Sequence, residues 1–592
     1  MIQDKQSQPV AAISTSPLSV WQPTSALRVW PAVLMLAIFW TFLYANYNLE
    51  LAMFSRFMSR MIAYGLLLLG FLGWWLTRRQ ILWRDRLLAV GVVAVVSLVA
   101  GLLSDKSVGP LALFMTALPF VFTAWTLWTL VSRSFSPRIR RLGFCAAMAA
   151  TLGFFSLLRW EGLYGNQIPE FDWRWRPTAE ERFLATHAAR SATPSPDRPA
   201  IPPRAWTIRP GDWPEFRGPN RDGVVHDFKL NTDWNASPPK LLWSRRVGPA
   251  WSSMSIVDGF LFTQEQRGEH EAVVCYDAAT GNEVWEHSDP ERFFEALAGA
   301  GPRATPTFAD GRIYAMGAKG RLTCLAASDG KPIWSRDVVA EAGGAVPQWG
   351  YSSSPLVVDG TVVAFAGGEG KNSLVAFDAT TGTPVWSQAG GAMSYSSPQL
   401  VALDGRRQIL MHDNLALRSV AAEDGALLWE YPTTNEAAMP MLQPRLLDNG
   451  RLLLAAEPDV LLLELRPSAG DVSAKRLWGT KRLKPSFNDF VVFDGHVYGF
   501  DDAILTSVDL ADGRRVWKNG RYGHGQMLLL AEKGLLLILS EQGEAVLVAA
   551  SPEGHRELGT MAAISGKTWN HPVVAHGRLY VRNAEEMACF EL

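Results

Sequence analysis

The chain has 592 residues, of which 48% are hydrophobic, 11% aromatic and 19% charged, with a formal net charge of −1. That length exceeds one domain, and a near-neutral balance with a pI near 6.8 excludes the strongly basic surface of a nucleic-acid binder.

Residues 1–28 read as a cytoplasmic N-terminal tail and 29–160 as an all-α membrane domain. Long apolar runs begin at Trp30 (WPAVLMLAIFWTFLYANY), Ala63 (AYGLLLLGFLGWWL), Leu87 (LLAVGVVAVVSLVAGLL), Pro110 (PLALFMTALPFVFTAWTLWTLV) and Leu142 (LGFCAAMAATLGFFSLL). With flanks counted, each approaches the ~20 residues that cross a bilayer as a helix, which predicts five spans. Arg78, Arg79, Arg84 and Arg86 lie between the second and third runs, and Arg133, Arg138, Arg140 and Arg141 between the fourth and fifth. The excess of arginine places these two loops and the N terminus in the cytoplasm, and all that follows the fifth span outside it, in the periplasm of a Gram-negative cell. Arg56 and Arg60 fall on the outer side, against that trend. The first span reads as an uncleaved signal anchor. No charge sits well inside a run, so the helices read as an anchor in the inner (cytoplasmic) membrane and not as an ion path.

Residues 161–210 are polar and proline-rich, with SATPSPDRPAIPPRAW as the stiffest part, and read as a linker. Within it EERFLATHAAR has the pattern of a short helix. DWPEFRGPNRDGVV, residues 212–225, follows. Its Gly and Pro force turns, and Arg217, Arg221 and Asp222 are placed to tie those turns to the next domain. Without GK[ST] it is no phosphate loop.

The remainder is repetitive. VVCYDAATGNEVW, residues 273–285, returns in segments ending at Trp334, Trp386, Trp429 and Trp517, each an apolar strand, a polar turn closed by Gly and a strand ending in Trp. A second mark, a Gly turn opening an apolar strand, recurs at Gly259, Gly311, Gly360, Gly405, Gly450, Gly495, Gly534 and Gly577. A period of roughly 44 residues with short strands and Asp-Gly turns signals a β-propeller of four-stranded antiparallel blades, here eight, over 211–592. The last repeat ends at MACFEL with three strands, while PPKLLWSRRV is a lone strand with no repeat before it. Residues 241–246 are therefore expected to supply the outer strand of the last blade and close the ring.

Cys275 and Cys324 lie six residues before turn glycines, where other blades carry Ala376, Ser419 and Ser507, and Cys589 takes the like place in the last blade. Equivalent positions in neighbouring blades are too far apart for a bridge, so these read as small residues making room for the blade tryptophan. Cys145 falls in the fifth run.

Residues just ahead of each inner strand crowd the mouth of a propeller's funnel. They are Trp251 and Ser252; Arg303 and Thr305; Trp349 and Ser352; Tyr395 and Ser396; Gln443 and Arg445; Asn488 and Asp489; His524 and Gln526; and Trp569, Asn570 and His571. Flat aromatics with amides and cations suit a planar anionic ligand, and equally suit a belt bonding strand ends to one another. The loops HSDPERFFEALAGAGP and RDVVAEAGGAVPQWG are long enough to form a partner-binding rim, and PERFFEAL has the pattern of an amphipathic helix with Phe293, Phe294 and Leu297 on one side. No GxSxG, HExxH, P-loop or CxxC occurs, and the histidines are scattered singly.

The Trp-ended repeats, with the W-x-x-F-R-G-P-x-R-x-G segment at 213–223, resemble the bacterial PQQ-like (pyrroloquinoline quinone repeat) β-propeller family. Two roles follow from the resemblance. Membrane-bound quinoprotein dehydrogenases share the plan of five N-terminal spans and an eight-bladed periplasmic propeller, and imply PQQ held with Ca or Mg, oxidation of a sugar or alcohol, and electrons passed to membrane quinone. In such an enzyme Asp489 would be the base, Arg303 would polarise the quinone, and Asn488 and Asp489 would be metal ligands. Cofactor contacts would fall to Trp251, Trp349, Tyr395, Gln526, Trp569, Asn570 and His571. The compact blades, with no long insertion to roof an active site, resemble more the BamB scaffold lipoproteins, which bind protein and no quinone. The reading preferred from the sequence is a membrane-anchored binding scaffold with envelope proteins as partners.

Overall fold

The structure, a computed structural model, describes residues 28–49, 53–165, 167–192, 201, 204–226, 231, 233–234, 236–368, 370–433, 439–456, 458–468 and 471–592. The expected cytoplasmic tail lies almost wholly outside the described residues, as do 193–200 and 202–203 of the expected linker. The chain forms two compact units, a helical one that ends at Leu158 and a second made of Arg159–Leu592 together with Leu49–Ser55.

In the first unit, the apolar runs become α1 (Trp30–Asn48), α2 (Met53–Thr77), α3 (Trp83–Leu103), α4 (Pro110–Val131) and α5 (Pro137–Ser156). Four of them, α1 to α4, are long and apolar enough to cross a membrane, so the expected five is corrected to four. The shortfall of α5 is compositional. Arg138, Arg140 and Arg141 occupy its first turns, and the apolar stretch from Leu142 to Ser156 rises only about 22 Å. It nevertheless runs parallel to α3, with Arg141 paired to Asp85 at one end (2.7 Å) and Ser156 Oγ bonded to Ala100 O at the other (3.3 Å). Aromatic packing holds α2 to α4, where Phe71 stacks on Phe122 with centroids 4.2 Å apart and Trp125 meets Phe71 edge-on.

The second unit is an eight-bladed β-propeller. The blades run over 255–289, 307–337, 356–390, 399–432, 445–480, 491–521, 526–562 and 573–591. The eighth is completed by Lys240–Arg246, which pairs antiparallel with Glu586–Glu591, so the ring closes as the sequence predicts. Each Asp-Gly turn joins the innermost strand to the second. At the first, both Asp258 and Gly259 have positive φ (51° and 83°), the type I′ geometry that only Gly, Asn and Asp adopt readily.

The blade tryptophans lock neighbour to neighbour. The Nε1 of Trp243, Trp285, Trp334, Trp478 and Trp517 donates to a turn carbonyl of the next blade, at Ala278, Ala327, Ala379, Leu510 and Ser551 respectively. In the first four the indole lies over that turn's glycine, and a Cβ at Gly281 would come within 2.7 Å of Trp243. Directly across the sheet from Trp285, Trp334 and Trp243 stand Cys275, Cys324 and Cys589, and from Trp386 and Trp429 stand Ala376 and Ser419. All four cysteines are free thiols, as expected. Blade seven has no tryptophan of its own, and buried Trp234 lies against its Gly559.

The PERFFEAL stretch is not a helix. Phe294–Glu295 and Gly299–Ala300 pair as a two-stranded ribbon. Gly299 and Gly301 take positive φ, and the Glu295 carboxylate accepts the N–H groups of Leu297 and Ala298 at 2.7 Å, which replaces helical bonding with a turn. Phe293 is buried under the Arg303 guanidinium while Phe294 is exposed, so the three apolar residues do not share a face. The second long loop contains a short helix, Val338–Ala342, capped by the Asp337 carboxylate.

Candidate functional site

Residues 212–225 fill the axis of the ring and touch every blade. Trp213 pairs with Ile256 of blade one, and Pro214 O accepts from Phe308 N of blade two. Fully buried Arg221 donates to Pro355 O and Ser354 O (3.2 Å) ahead of blade three and to Pro398 O (2.8 Å) ahead of blade four. Asp222 pairs with Arg445 of blade five at 2.8 Å, and Arg217 Nε with Asp489 ahead of blade six at 2.9 Å. Val224 and Val225 add a parallel strand to Leu529 and Leu530 of blade seven, and Asp212 meets His576 of blade eight at 2.7 Å. Arg217 and Arg221 themselves have positive φ, 62° and 52°, held there by these contacts. The guess that this segment ties turns to the ring matches this placement.

Above this plug the predicted mouth residues form a belt running from blade to blade. Asn570 Nδ2 donates to Ser252 O (2.7 Å), Ser253 N to Thr305 Oγ1 (3.1 Å), and Thr305 N to Ser354 Oγ (2.9 Å). Ser352 Oγ donates to Tyr395 O, Ser396 Oγ to Leu442 O, and Gln443 Nε2 to Ser397 O. Asn488 Nδ2 donates to Gly525 O, and Gln526 Nε2 to Phe487 O and Trp569 O. Trp349 stacks on Tyr395 (5.2 Å), His524 on Phe487 (5.4 Å), and Trp251 lies beside Trp569 (4.9 Å).

The charged members are engaged by neighbours. Asp489 Oδ2 is shared by Arg217 and by His571 Nε2 at 2.5 Å. Burial alone would raise its pKa, but the Arg217 guanidinium and the His571 contact outweigh that and hold it below the ordinary carboxylate range. Arg303 pairs with Glu295 at 3.3 Å and covers the Phe293 ring. Among the described residues, no contact brings Arg303 to Asn488 or Asp489.

Two groups at the mouth carried no sequence signal, because each stands just outside the repeat positions that mark the belt. Lys567, with a side chain only 8% exposed, places its Nζ 5.0 Å and 5.8 Å from the Trp569 and Trp251 rings. Burial lowers its pKa, with Glu170 and Glu541 opposing. Buried Glu541 accepts from Trp569 Nε1 at 2.8 Å. A roof is also present, from an unexpected source. Strands Leu158–Leu163 and Pro169–Trp173 form a hairpin that lies on the mouth, where Lys567 Nζ donates to Leu163 O (3.3 Å) and Gly165 N to Glu541 Oε1 (2.6 Å). The helix of the expected linker is α6 (Ala179–Ala192), which straps blade one through Glu180 to Arg292 and blade eight through Arg182 to Glu585. Its His187 joins Glu283 and Glu286 in a group with metal-ligand spacing, but Arg267 stands among them, 3.1 Å from His187 Nε2 and 3.0 Å from Glu283. A guanidinium there satisfies the carboxylates that a cation would need.

Eight blades with recurrent tryptophan locks, a plugged axis and a closing N-terminal strand define a PQQ-repeat β-propeller, carried on a chain with four helices long and apolar enough to span a membrane. The propeller is BamB-like: the family described as outer membrane protein assembly factor BamB matches residues 269–519. The assembly factor BamB of Yersinia pestis is 24% identical over 388 residues, covering 61% of this chain and 91% of that protein. Quinohemoprotein alcohol dehydrogenase ADH-IIG of Pseudomonas putida is 27% identical over 186 residues, 30% of this chain and 25% of that protein. The structure of BamB from Moraxella catarrhalis superposes with a TM-score of 0.45 at 15% identity, covering 60% of this chain and all of that one.

Proposed function

We propose that the protein is a membrane-anchored, extracytoplasmic binding scaffold of the cell envelope, acting on protein partners and not on a quinone cofactor. The observation that carries this reading is the state of the funnel's charges. Arg217 is held by Asp489, Arg445 by Asp222, Arg303 by Glu295, and Lys567 lies 3.8 Å from Glu170. A planar polycarboxylated quinone such as PQQ needs cations that are not already neutralised, and Ca²⁺ or Mg²⁺ needs several open oxygen ligands. Asp489 holds Arg217 and His571, and the Asn488 amide faces a carbonyl through its N–H₂ group. The axis below is filled by residues 212–225 and the mouth above by the hairpin. The residues present therefore do not fit PQQ with a divalent ion.

The test is calorimetric titration of the full chain in detergent micelles with PQQ and Ca²⁺ or Mg²⁺, followed by a dye-reduction screen on sugars and alcohols. No heat and no reduction are expected. Metal-dependent binding with dye reduction would make the protein a PQQ-dependent dehydrogenase instead.

The propeller is placed outside the cytoplasm on its likeness to an outer membrane assembly factor, with the four apolar helices as the anchor. A C-terminal alkaline phosphatase fusion should be active, and a fluorescent C-terminal GFP fusion would reverse the assignment.

A further inference from the structure

The hairpin on the mouth is held through its backbone. Leu163 donates its N–H to Leu297 O at 3.1 Å and offers its C=O to Lys567 Nζ at 3.3 Å; two residues on, Gly165 donates its N–H to the Glu541 carboxylate at 2.6 Å. Trp160 Nε1 reaches Ala296 O at 2.8 Å. The ring thus reads three main-chain groups of one short segment, with an ammonium for the carbonyl and a carboxylate for the N–H, both largely shielded from water. Peptide groups recognised in this way carry no side-chain identity.

Identity enters through close approach. A Cβ at Gly162 would stand 2.7 Å from Leu297 O, and one at Gly165 would stand 1.9 Å from His524 Nδ1. The seat therefore takes glycine at both positions, three residues apart, around the apolar and aromatic pair Leu163 and Tyr164. The walls beside it, Trp251, Trp569 and Phe487, offer flat apolar surface.

Across the hairpin, Arg159 faces Asp172 at 3.8 Å and Trp160 meets Phe171 edge-on at 5.4 Å. The hairpin is a two-stranded sheet of its own, its strand Pro169–Trp173 has no buried residue, and an isolated pair of strands is marginally stable in water. Its seat on the ring is made by main-chain groups and two glycines, which another polypeptide with the same backbone and glycines also offers.

We propose that the propeller mouth is a peptide-binding site for a Gly-x-x-Gly turn of a partner protein, read by Lys567 and Glu541 and occupied in this chain by the hairpin as an intramolecular stand-in. The proposal rests on the scaffold reading and names the part of the scaffold that binds. Because the stand-in is tethered, its effective concentration is on the order of millimolar and a free peptide competes poorly until it is unseated.

The probe is a fluorescein-labelled peptide with the sequence of residues 159–165, RWEGLYG, followed by anisotropy with the full chain in detergent micelles. Gly165→Val pushes a side chain into His524 and unseats the hairpin without altering the ring. A second opened form replaces residues 160–172 by a Gly/Ser linker of equal length. Both opened forms are expected to bind the peptide at least tenfold more tightly than the unaltered chain. Lys567→Met added to either should return the affinity to the unaltered level, and so should a probe with alanine at the two glycine positions. If both opened forms keep the melting transition of the unaltered chain and bind no better, the proposal is overturned. It is also overturned if binding is indifferent to Lys567→Met. The PQQ titration is run on the same preparations: peptide failure without PQQ binding rejects the mouth as the docking site, whereas PQQ binding rejects the scaffold reading itself.

Discussion

Asp489 and Arg217 meet at 2.9 Å across the axis of the ring, one from the approach to blade six and the other from the plug that precedes blade one. Both are buried, and His571 from blade eight touches the same carboxylate oxygen. A residue positioned like a catalytic base is thereby part of a structural lock that joins distant parts of the sequence.

Breaking that lock should cost stability. Asp489→Asn leaves the Arg217 guanidinium buried without its counter-charge, a loss of about 3 kcal/mol. The folded pKa of Asp489 lies below the ordinary value of 3.8, so its contribution is present above that value and disappears only as pH falls through the lower folded one. Thermal unfolding of the full chain in detergent should show a lower midpoint for Asp489→Asn at pH 7, and a gap that persists at pH 5. An unchanged midpoint would mean that the pair is not formed.

Arg221 should tolerate no replacement, lysine included. Its planar fork donates at once to carbonyls ahead of blades three and four, while Nε holds Glu215 at 2.5 Å. Lysine offers a point charge with different directions, and the buried carbonyls would be left unpaired. Both Arg221→Lys and Arg221→Ala are expected to lower the unfolding midpoint by a similar amount, on the order of 3 kcal/mol or more. A lysine variant as stable as the unaltered chain would show that charge alone suffices.

The ring was legible because its signals are periodic. Gly259 and its seven counterparts mark the turns, the tryptophans mark the outer strands, and the unpaired strand around Trp243 marks the closure. The belt was legible for the same reason, as a fixed offset from each turn. What resisted reading was aperiodic. Lys567 and Glu541 gain their roles from contact with residues 163 and 165, some four hundred positions earlier, and no local pattern announces such a pairing. PERFFEAL failed because its helical spacing is overruled by the turn that Glu295 and two positive-φ glycines build. The fifth span failed because arginines at 138, 140 and 141 shorten an apolar run that looked long enough when its flanks were counted.

The buried cysteines should be inert and space-limited. Burial raises the pKa of Cys275, and those of Cys324 and Cys589 to about 12, so almost no thiolate exists at neutral pH. Native protein should leave these three thiols unmodified by a maleimide reagent, and all should react in denaturant. Cys324→Ala should be mild, whereas Cys324→Leu crowds Trp334 across the strand pair and should cost about 1–3 kcal/mol. Rapid native labelling of Cys324 would show that the blade tryptophan does not cover it.

Glu271 makes stability fall as pH rises. It sits buried between blades one and two, where Oε2 accepts from Ala318 N at 3.0 Å. Burial, reinforced by Glu291 against the pull of the Ala318 bond, Arg303 and Lys319, raises its pKa from 4.5 to about 7. Between those two values the folded state holds a proton that the unfolded chain has released. Stability from this group is therefore complete below pH 4.5, declines toward pH 7 and is flat above. Glu271→Gln keeps an acceptor for Ala318 and removes the charge. The variant should match the unaltered chain near pH 5 and exceed it by roughly 1–3 kcal/mol at pH 8. Unfolding midpoints collected from pH 5 to 8 for both proteins decide it: parallel profiles would mean that Glu271 stays ionised in the fold, as a solvent-open carboxylate does.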